Sequence, residues 1–319
     1  MNREKLLKIL KNFKGKKVLV LADLILDQYI WGIPKRISRE APVLILKKKM
    51  EWAVPGGGAN VVMNLKDQGA EPIPFGFLGD DQEGQFLLEF FKKREIKTDF
   101  IKILRGWKTV RKVRILAGFE STSKQQVVRY DEEVYYPKIN NNDIPLKEID
   151  CLIVSDYGYN SLDFSFLNKE KLKTPVLVDS RYRLKKFKNV TSLTPNIEEA
   201  ELLVGFRIST DEEAKKASQV IIEKLNPKAV LMTMGSKGVL IHQKNKKPKI
   251  IPPYGSGQIA DTTGAGDAVL ATYSLSLCSG ASFEEAAYLA NMSGGIKVKK
   301  MGTATVSFEE LKDGIEKLP

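Results

Sequence analysis

Short apolar runs alternate along this chain with amphipathic stretches of helical period, and that alternation leaves few folds open. Val18–Ala22, Cys151–Ser155, Val176–Asp179 and Val230–Met234 are brief and apolar, the pattern of strands covered on both faces. Between them Gln82–Lys93, Glu198–Val204, Asp211–Leu225 and Phe283–Lys297 are amphipathic. Strands of this kind joined by helices form right-handed βαβ units, so the pattern predicts an α/β fold with a mostly parallel sheet flanked by helices. Thr210 with Glu213 and Ser282 with Glu285 read as capping boxes at two helix starts.

Two regions break the alternation. Val43–Lys49 has a period of two, and Arg111–Leu116 and Gln125–Tyr130 read as a hairpin. With Tyr29–Ile33 they predict a small β-sheet lid, drawn from about residues 28–54 and 108–131, on a single domain of residues 1–319. Such a flap can close over a substrate and exclude water, or join two copies through exposed strand edges.

Composition narrows the partners. The net charge of +12 admits a nucleic-acid surface or a pocket for anions, but the lysines fall in scattered groups with no aromatic interleaving. A solvated basic surface is the reading adopted, with no nucleic-acid partner. No apolar run reaches the length of a membrane span, and Met1–Lys5 lacks the apolar centre of a signal peptide. Two cysteines, both in apolar stretches, fit a reducing cytoplasm, and one histidine excludes most His/Cys metal clusters.

The chemistry concentrates in Asp261-Thr-Thr-Gly-Ala-Gly-Asp267, a small-residue loop running into an apolar helical stretch. Glycines let backbone N–H groups approach an anion, and the helix N-terminus adds unpaired donors and a positive dipole end. Gly264, Ala265 and Gly266 can thereby hold a phosphoryl group in flight, with Asp267 at the mouth as a general base. Upstream, Asp23 and Asp27 follow the first strand, where open α/β sheets bind ligands; either acid could instead cap a turn. Gly56-Gly57-Gly58-Ala59-Asn60 offers close backbone approach and a side-chain amide, or a plain turn before a helix. Asn196 and Glu199 suit a hydrated Mg²⁺, and equally form a capping box. Thr233 and Gly235, in a glycine turn, are placed for nucleotide phosphates. No P-loop and no dinucleotide fingerprint is present.

In order and over nearly the whole length, these segments resemble the ribokinase-like (PfkB) carbohydrate kinases. The Asp261–Asp267 run matches the family signature. Arg36-Ile-Ser-Arg-Glu-Ala-Pro-Val43, Gly57-Gly-Ala-Asn-Val61, Leu193-Thr-Pro-Asn196 and Gly302-Thr-Ala-Thr-Val306 resemble its D-glycero-β-D-manno-heptose-7-phosphate kinase branch. The resemblance implies ATP- and Mg²⁺-dependent phosphorylation of a sugar's anomeric hydroxyl, with Asp267 as base over the amides of Gly264, Ala265 and Gly266. It places Asp27, Gly57, Gly58, Asn60, Arg129, Asp156 and Arg181 on the sugar phosphate. Asn196, Glu199, Thr233, Gly235, Gly238 and Asn291 fall to ATP, with Asn196 and Glu199 also organising Mg²⁺ through water. It further implies a homodimer joined through the lid.

This chain departs from that branch in three places. Ala22-Asp23 replaces Gly-Asp, Gly158-Tyr159-Asn160 replaces a Lys-Gly pair, and Ser180-Arg181 replaces Pro-Lys. Arg181, Arg183, Lys185 or Lys186 would then replace the lost lysine. The branch is often fused to a nucleotidyltransferase with a His-x-Gly-His signature. The single His242 cannot form it, so a separate nucleotidyltransferase partner is expected.

Overall fold

The computed structural model describes residues 2–122, 124–137, 143–159, 164, 166–167, 172–255 and 259–318. In chain order its strands begin with β1 (Lys17–Ala22), β2 (Leu24–Ile37), β3 (Leu44–Gly57), β4 (Glu71–Gly79), β5 (Ile101–Leu104), β6 (Arg111–Ala117) and β7 (Gln125–Glu132). They continue with β8 (Cys151–Asp156), β9 (Val176–Ser180), β10 (Ser192–Leu193), β11 (Ala229–Thr233), β12 (Val239–Gln243) and β13 (Lys249–Ile251). The helices used below are α1 (Arg3–Lys11), α2 (Gly58–Asp67), α3 (Gln82–Lys93), α4 (Ile197–Val204), α5 (Asp211–Leu225), α6 (Ala265–Cys278), α7 (Phe283–Lys297) and α8 (Phe308–Glu316).

Nine strands form the main sheet in the order β13-β12-β11-β10-β9-β8-β1-β4-β5. From β11 to β5 neighbours are parallel, and β12 and β13 add antiparallel at one edge. Alternation along each strand splits the core between the two faces. Val18, Val20 and Ala22 of β1 join one apolar cluster with residues of α1, α2, α6, α7 and α8. Leu19 and Leu21 join the other, with residues of α5 and Ala200 of α4. This is the doubly covered sheet that all-apolar strands require. The helix starts are held as the sequence indicates: Thr210 and Ser282 each accept from the backbone three residues on, with Glu213 and Glu285 reaching back.

The second sheet is four-stranded, in the order β3-β2-β6-β7. β2 and β3 are longer than the sequence pattern indicates and run back to the end of the main sheet. Asp23 N bonds Ser155 O of β8 at 3.1 Å, and β2 departs one residue later. The lid is therefore rooted at the carboxyl end of β1, where its first residues lie over the cleft.

A glycine fixes the β11–β12 turn. Gly238 has φ +87°, and a Cβ there would lie 2.1 Å from Ile251 O of β13. Gly238→Ala is expected to cost about 2 kcal/mol or more of unfolding free energy in urea titration; an unchanged midpoint would show that β13 yields without cost.

Candidate active site

Asp267 stands in the first turn of α6, and its neighbours come from distant parts of the chain. Gly264, at φ +79°, caps this helix, and a Cβ on it would press to 2.7 Å from the Asn60 amide. That closeness lets Asn60 Nδ2 donate to Asp267 Oδ2 at 2.7 Å, while Tyr157 O–H donates to Oδ1 at 3.3 Å. Burial raises the Asp267 pKa to about 6; Asp27 adds to the rise, and Asn60, Lys112 and Tyr157 oppose it. Such a carboxylate is ionised at neutral pH yet basic enough to take a hydroxyl proton. Of the three loop amides, that of Ala265 turns inward, donating to Thr262 O at 3.1 Å. It is thus already engaged, contrary to expectation. Gly266 has open space where a side chain would stand.

The two N-terminal acids divide their roles. Asp23 accepts from the backbone of Tyr157 at 2.7 Å and Tyr159 at 3.1 Å, which makes it a turn cap. Asp27, buried, takes Arg114 Nη1 at 2.7 Å and the Thr303 hydroxyl at 2.8 Å. Tyr29, stacked on Trp52 at 5.2 Å, bonds the same hydroxyl at 2.9 Å. The glycine run is closely packed on the side where a Cβ would stand. A Cβ on Gly56 would lie 2.5 Å from the Asp27 carboxylate, one on Gly57 2.6 Å from Ile25, and one on Gly58 2.5 Å from Ala22. Gly58 and Asn60 also belong to α2, not to a preceding turn.

A cavity of about 820 Å³ runs from Asp267, Gly264 and Gly266 past Asp156, Tyr157, Asp179 and Arg181 to Asn196, Glu199 and Thr233. Asp156 is committed elsewhere: it accepts Ser180 Oγ at 2.6 Å, Gly158 N at 3.0 Å and Arg183 Nε at 2.9 Å. Arg183 is thereby tied to Asp156, whereas Arg181 lines the cavity. Asn160 lies outside the described residues. Asn196 and Glu199 form the reciprocal capping box, Glu199 N to Oδ1 at 2.8 Å and Asn196 N to Oε2 at 3.0 Å. Burial raises the pKa of Glu199, and burial with the charges of Glu199, Asp267 and Asp156 raises that of Asp179. The charge of Arg181 opposes the rise at Glu199, and among the described residues neither carboxylate stands at ion-pair distance from a cation. Among the described residues no group of three or more His, Cys, Asp or Glu is gathered to hold a metal.

A second cavity, about 460 Å³ and more apolar, adjoins the first through Thr233, Gly235 and Gly266. Gly238, Tyr254 and Asn291 help to line it, and Asn291 Nδ2 donates to Pro252 O at 2.6 Å. Arg129, on the exposed strand β7, is paired with Asp131 at 2.6 Å and 2.8 Å and faces Arg114 across the ladder. It is not brought against Asp267.

Reasoning from sequence alone missed Lys112, Arg114, Tyr157, Asp179 and Thr303. Lys112 pairs in register with Asp27, and Arg114 with Tyr29. Their alternate spacing in Arg111-Lys-Val-Arg114 was a usable signal: two cations on one face of a lid strand. Lys112 is buried, with its ammonium 4.4 Å from the centroid of the Tyr157 ring, and burial lowers its pKa to about 8. Among the described residues no carboxylate stands at ion-pair distance from it.

A buried carboxylate in the first turn of a helix that opens on a small-residue loop, under a β lid and beside two adjoining cavities, is an arrangement suited to a kinase acting on small hydroxyl compounds. The chain belongs to the pfkB family of carbohydrate kinases, whose model matches residues 16–310. It is 35% identical over 317 residues to the bifunctional protein HldE of Haemophilus influenzae strain PittEE, covering 96% of this chain and 65% of the relative. The HldE of Pelobacter propionicus is 33% identical over 329 residues, with 99% and 66% covered. The chain thus spans a little under two thirds of these relatives' length. Among solved structures, Arabidopsis thaliana ribokinase complexed with ribose and ATP superposes with a TM-score of 0.76 at 20% identity, covering 95% of this chain and 99% of that one. Escherichia coli phosphofructokinase-2 with substrates and products gives 0.74 at 20% identity, covering 95% and 98%. These two share the ribokinase-like fold.

The raised Asp267 pKa has a stability consequence. An acid whose folded pKa is raised holds its proton more tightly when folded. Its contribution favours folding below the unfolded value of 3.8 and is withdrawn as pH rises through about 6, by up to about 3 kcal/mol. Asp267→Asn is therefore expected to be more stable than wild type at pH 7 in urea titration, with the gap closing toward pH 4. A variant less stable than wild type at pH 7 would contradict this placement of the charge.

Proposed function

We propose that this carbohydrate kinase transfers the γ-phosphoryl of ATP to the anomeric hydroxyl of a sugar phosphate, D-glycero-β-D-manno-heptose 7-phosphate being the substrate favoured. The observation that carries the choice of a phosphorylated sugar is Lys112: a buried ammonium without a carboxylate partner, in the electrostatic field of Asp27. Leaving such a charge unpaired is costly, and an anionic group on the substrate relieves it. Similarity to HldE over nearly the whole chain supports the heptose.

In this reading Asp27 and Asn60 orient the sugar, and Arg114 and Thr303 fix the Asp27 carboxylate. Asp267 removes the hydroxyl proton, with Asn60 and Tyr157 holding its oxygens in place. Amides of Gly264 and Gly266, at the positive end of α6, face the charge on the phosphoryl group. Arg181 and the Thr233–Gly235 turn hold the remaining phosphates, and the apolar cavity beside Asn291 takes the base. Mg²⁺, when bound, neutralises phosphate charge. Glu199 and Asp179 would hold its water shell, because the Asn196 oxygen already caps α4. Lid closure excludes water, since positioning and charge stabilisation carry phosphoryl transfer.

Exposed Ile37, Leu44, Met50, Val127, Val128 and Tyr130 on the lid support a homodimer through this sheet. The product would pass to a nucleotidyltransferase supplied outside these residues, in the cytoplasm.

ADP release should be measured with Mg·ATP against heptose 7-phosphate, fructose 6-phosphate, ribose, fructose and adenosine. The highest kcat/KM is expected with heptose 7-phosphate; preference for an unphosphorylated sugar or nucleoside would overturn the reading. Lys112→Met should lower kcat/KM for the sugar phosphate by on the order of 10- to 100-fold and leave KM for ATP near its original value. Asp267→Asn should lower kcat by on the order of 10²- to 10⁴-fold while ATP still binds by calorimetry; turnover close to wild type would remove Asp267 as the base.

A further inference from the structure

Lys297 is the last residue of α7 and is fully buried. Its ammonium donates to two main-chain carbonyls, Asp261 O at 3.1 Å and Lys300 O at 3.2 Å. Among the described residues no carboxylate stands at ion-pair distance from it. Burial lowers its pKa, and the charges of Asp261 and Asp267 oppose that shift. Burying an ammonium costs several kcal/mol unless its donors are met, so a lysine here needs a reason beyond filling space.

The two carbonyls belong to the two loops that frame the reacting centre. Asp261 opens the turn leading to Gly264 and Asp267. The loop after α7 carries Thr303, whose hydroxyl bonds Asp27 at 2.8 Å. Other bonds join the same loops: Ala260 N to Val298 O at 2.8 Å, Gly302 N to Asp261 Oδ2 at 2.9 Å, and Thr263 N to Asp261 Oδ1 at 2.8 Å. Asp261 thus offers its carboxylate to amides on both sides while its carbonyl points inward. Without Lys297, two carbonyl dipoles would converge with only each other for company. A cation satisfies that arrangement and a neutral apolar side chain does not.

We propose that Lys297 is a positioning residue, a tethered cation that fixes the Asp261–Gly266 turn against the Thr303 loop and so sets the phosphoryl-holding amides relative to Asp27. The proposal rests on that turn being the phosphoryl-holding element. Because the ammonium is part of the chain, the turn needs no free monovalent cation to hold its shape. A small hydrated cation that can shed water onto carbonyl oxygens is the chemical equivalent of the lost group when the lysine is removed.

The test compares wild type with Lys297→Met, which keeps the stem and removes the charge and donors. Steady-state rates are measured in sodium, potassium and ammonium chloride at equal ionic strength. The wild-type kcat is expected to stay within about twofold in all three salts. The variant should lose on the order of 10²-fold in kcat in sodium, with KM values within about threefold, and regain about tenfold or more in ammonium. Wild type activated by about fivefold or more by potassium or ammonium over sodium would overturn the proposal, as would a variant with full kcat in sodium, or one that ammonium does not rescue. Hydrogen exchange gives a readout independent of the sugar. Peptides spanning residues 260–267 should exchange faster in the variant while α1 is unchanged, and ammonium should restore the slower rate. Unchanged exchange there would sink the proposal even if the heptose assignment held. Should the variant fail to fold, the wild-type salt comparison decides.

Discussion

The hydrogen bond from Asn60 to Asp267 is the contact on which the site depends. It joins α2, which follows the lid strand β3, to α6, whose N-terminus carries the amides proposed to face the phosphoryl group. It works only because both residues are buried, Asn60 at 1% and Asp267 at 5% exposure. In water the amide would have many partners and the carboxylate an ordinary pKa. Within the cleft, burial raises the pKa and the amide fixes which oxygen faces the substrate. Gly264 is required for the same reason: a side chain there would occupy the space the amide needs.

Around this pair, charge is balanced unevenly. Asp27 is neutralised by Arg114 and Asp156 by Arg183, so these carboxylates are fixed in place. Lys112 on one side, and Glu199 with Asp179 on the other, have no ion-pair partner among the described residues; Asp27 and Asp131 act on Lys112, and Arg181 on Glu199, only through their field. In the proposed reading a phosphorylated sugar meets Lys112 at one end, and a magnesium-bound nucleotide meets Glu199 and Asp179 at the other. In that reading, binding both ligands relieves two separate electrostatic costs, which favours the complete complex over either ligand alone.

Much of the fold could be read from periodicity because each strand of the main sheet is covered on both faces. Gln82–Lys93, Asp211–Leu225 and Phe283–Lys297 begin and end where their patterns do. The lid was harder: β2 and β3 change environment along their length, so part of each follows the core pattern and part the surface pattern. Of the site, the Asp261–Asp267 loop and the Asn196–Glu199 box were legible because their spacing is local. Lys112, Thr303 and Lys297 were not, since each acquires its meaning from a partner far away in sequence. The glycine run carries a second meaning that spacing does not reveal: Gly56 and Gly58 must be small because Asp27 or Ala22 lies against each.

The position of the transferred phosphate tests the central claim most directly. Heptose 7-phosphate is incubated with the enzyme and Mg·ATP, and the product is read by phosphorus NMR with proton coupling. The account predicts a bisphosphate in which the new phosphorus couples to the anomeric proton while the original phosphate is retained. A new phosphate on any other carbon, or an untouched heptose 7-phosphate beside an efficiently phosphorylated neutral sugar, would contradict it.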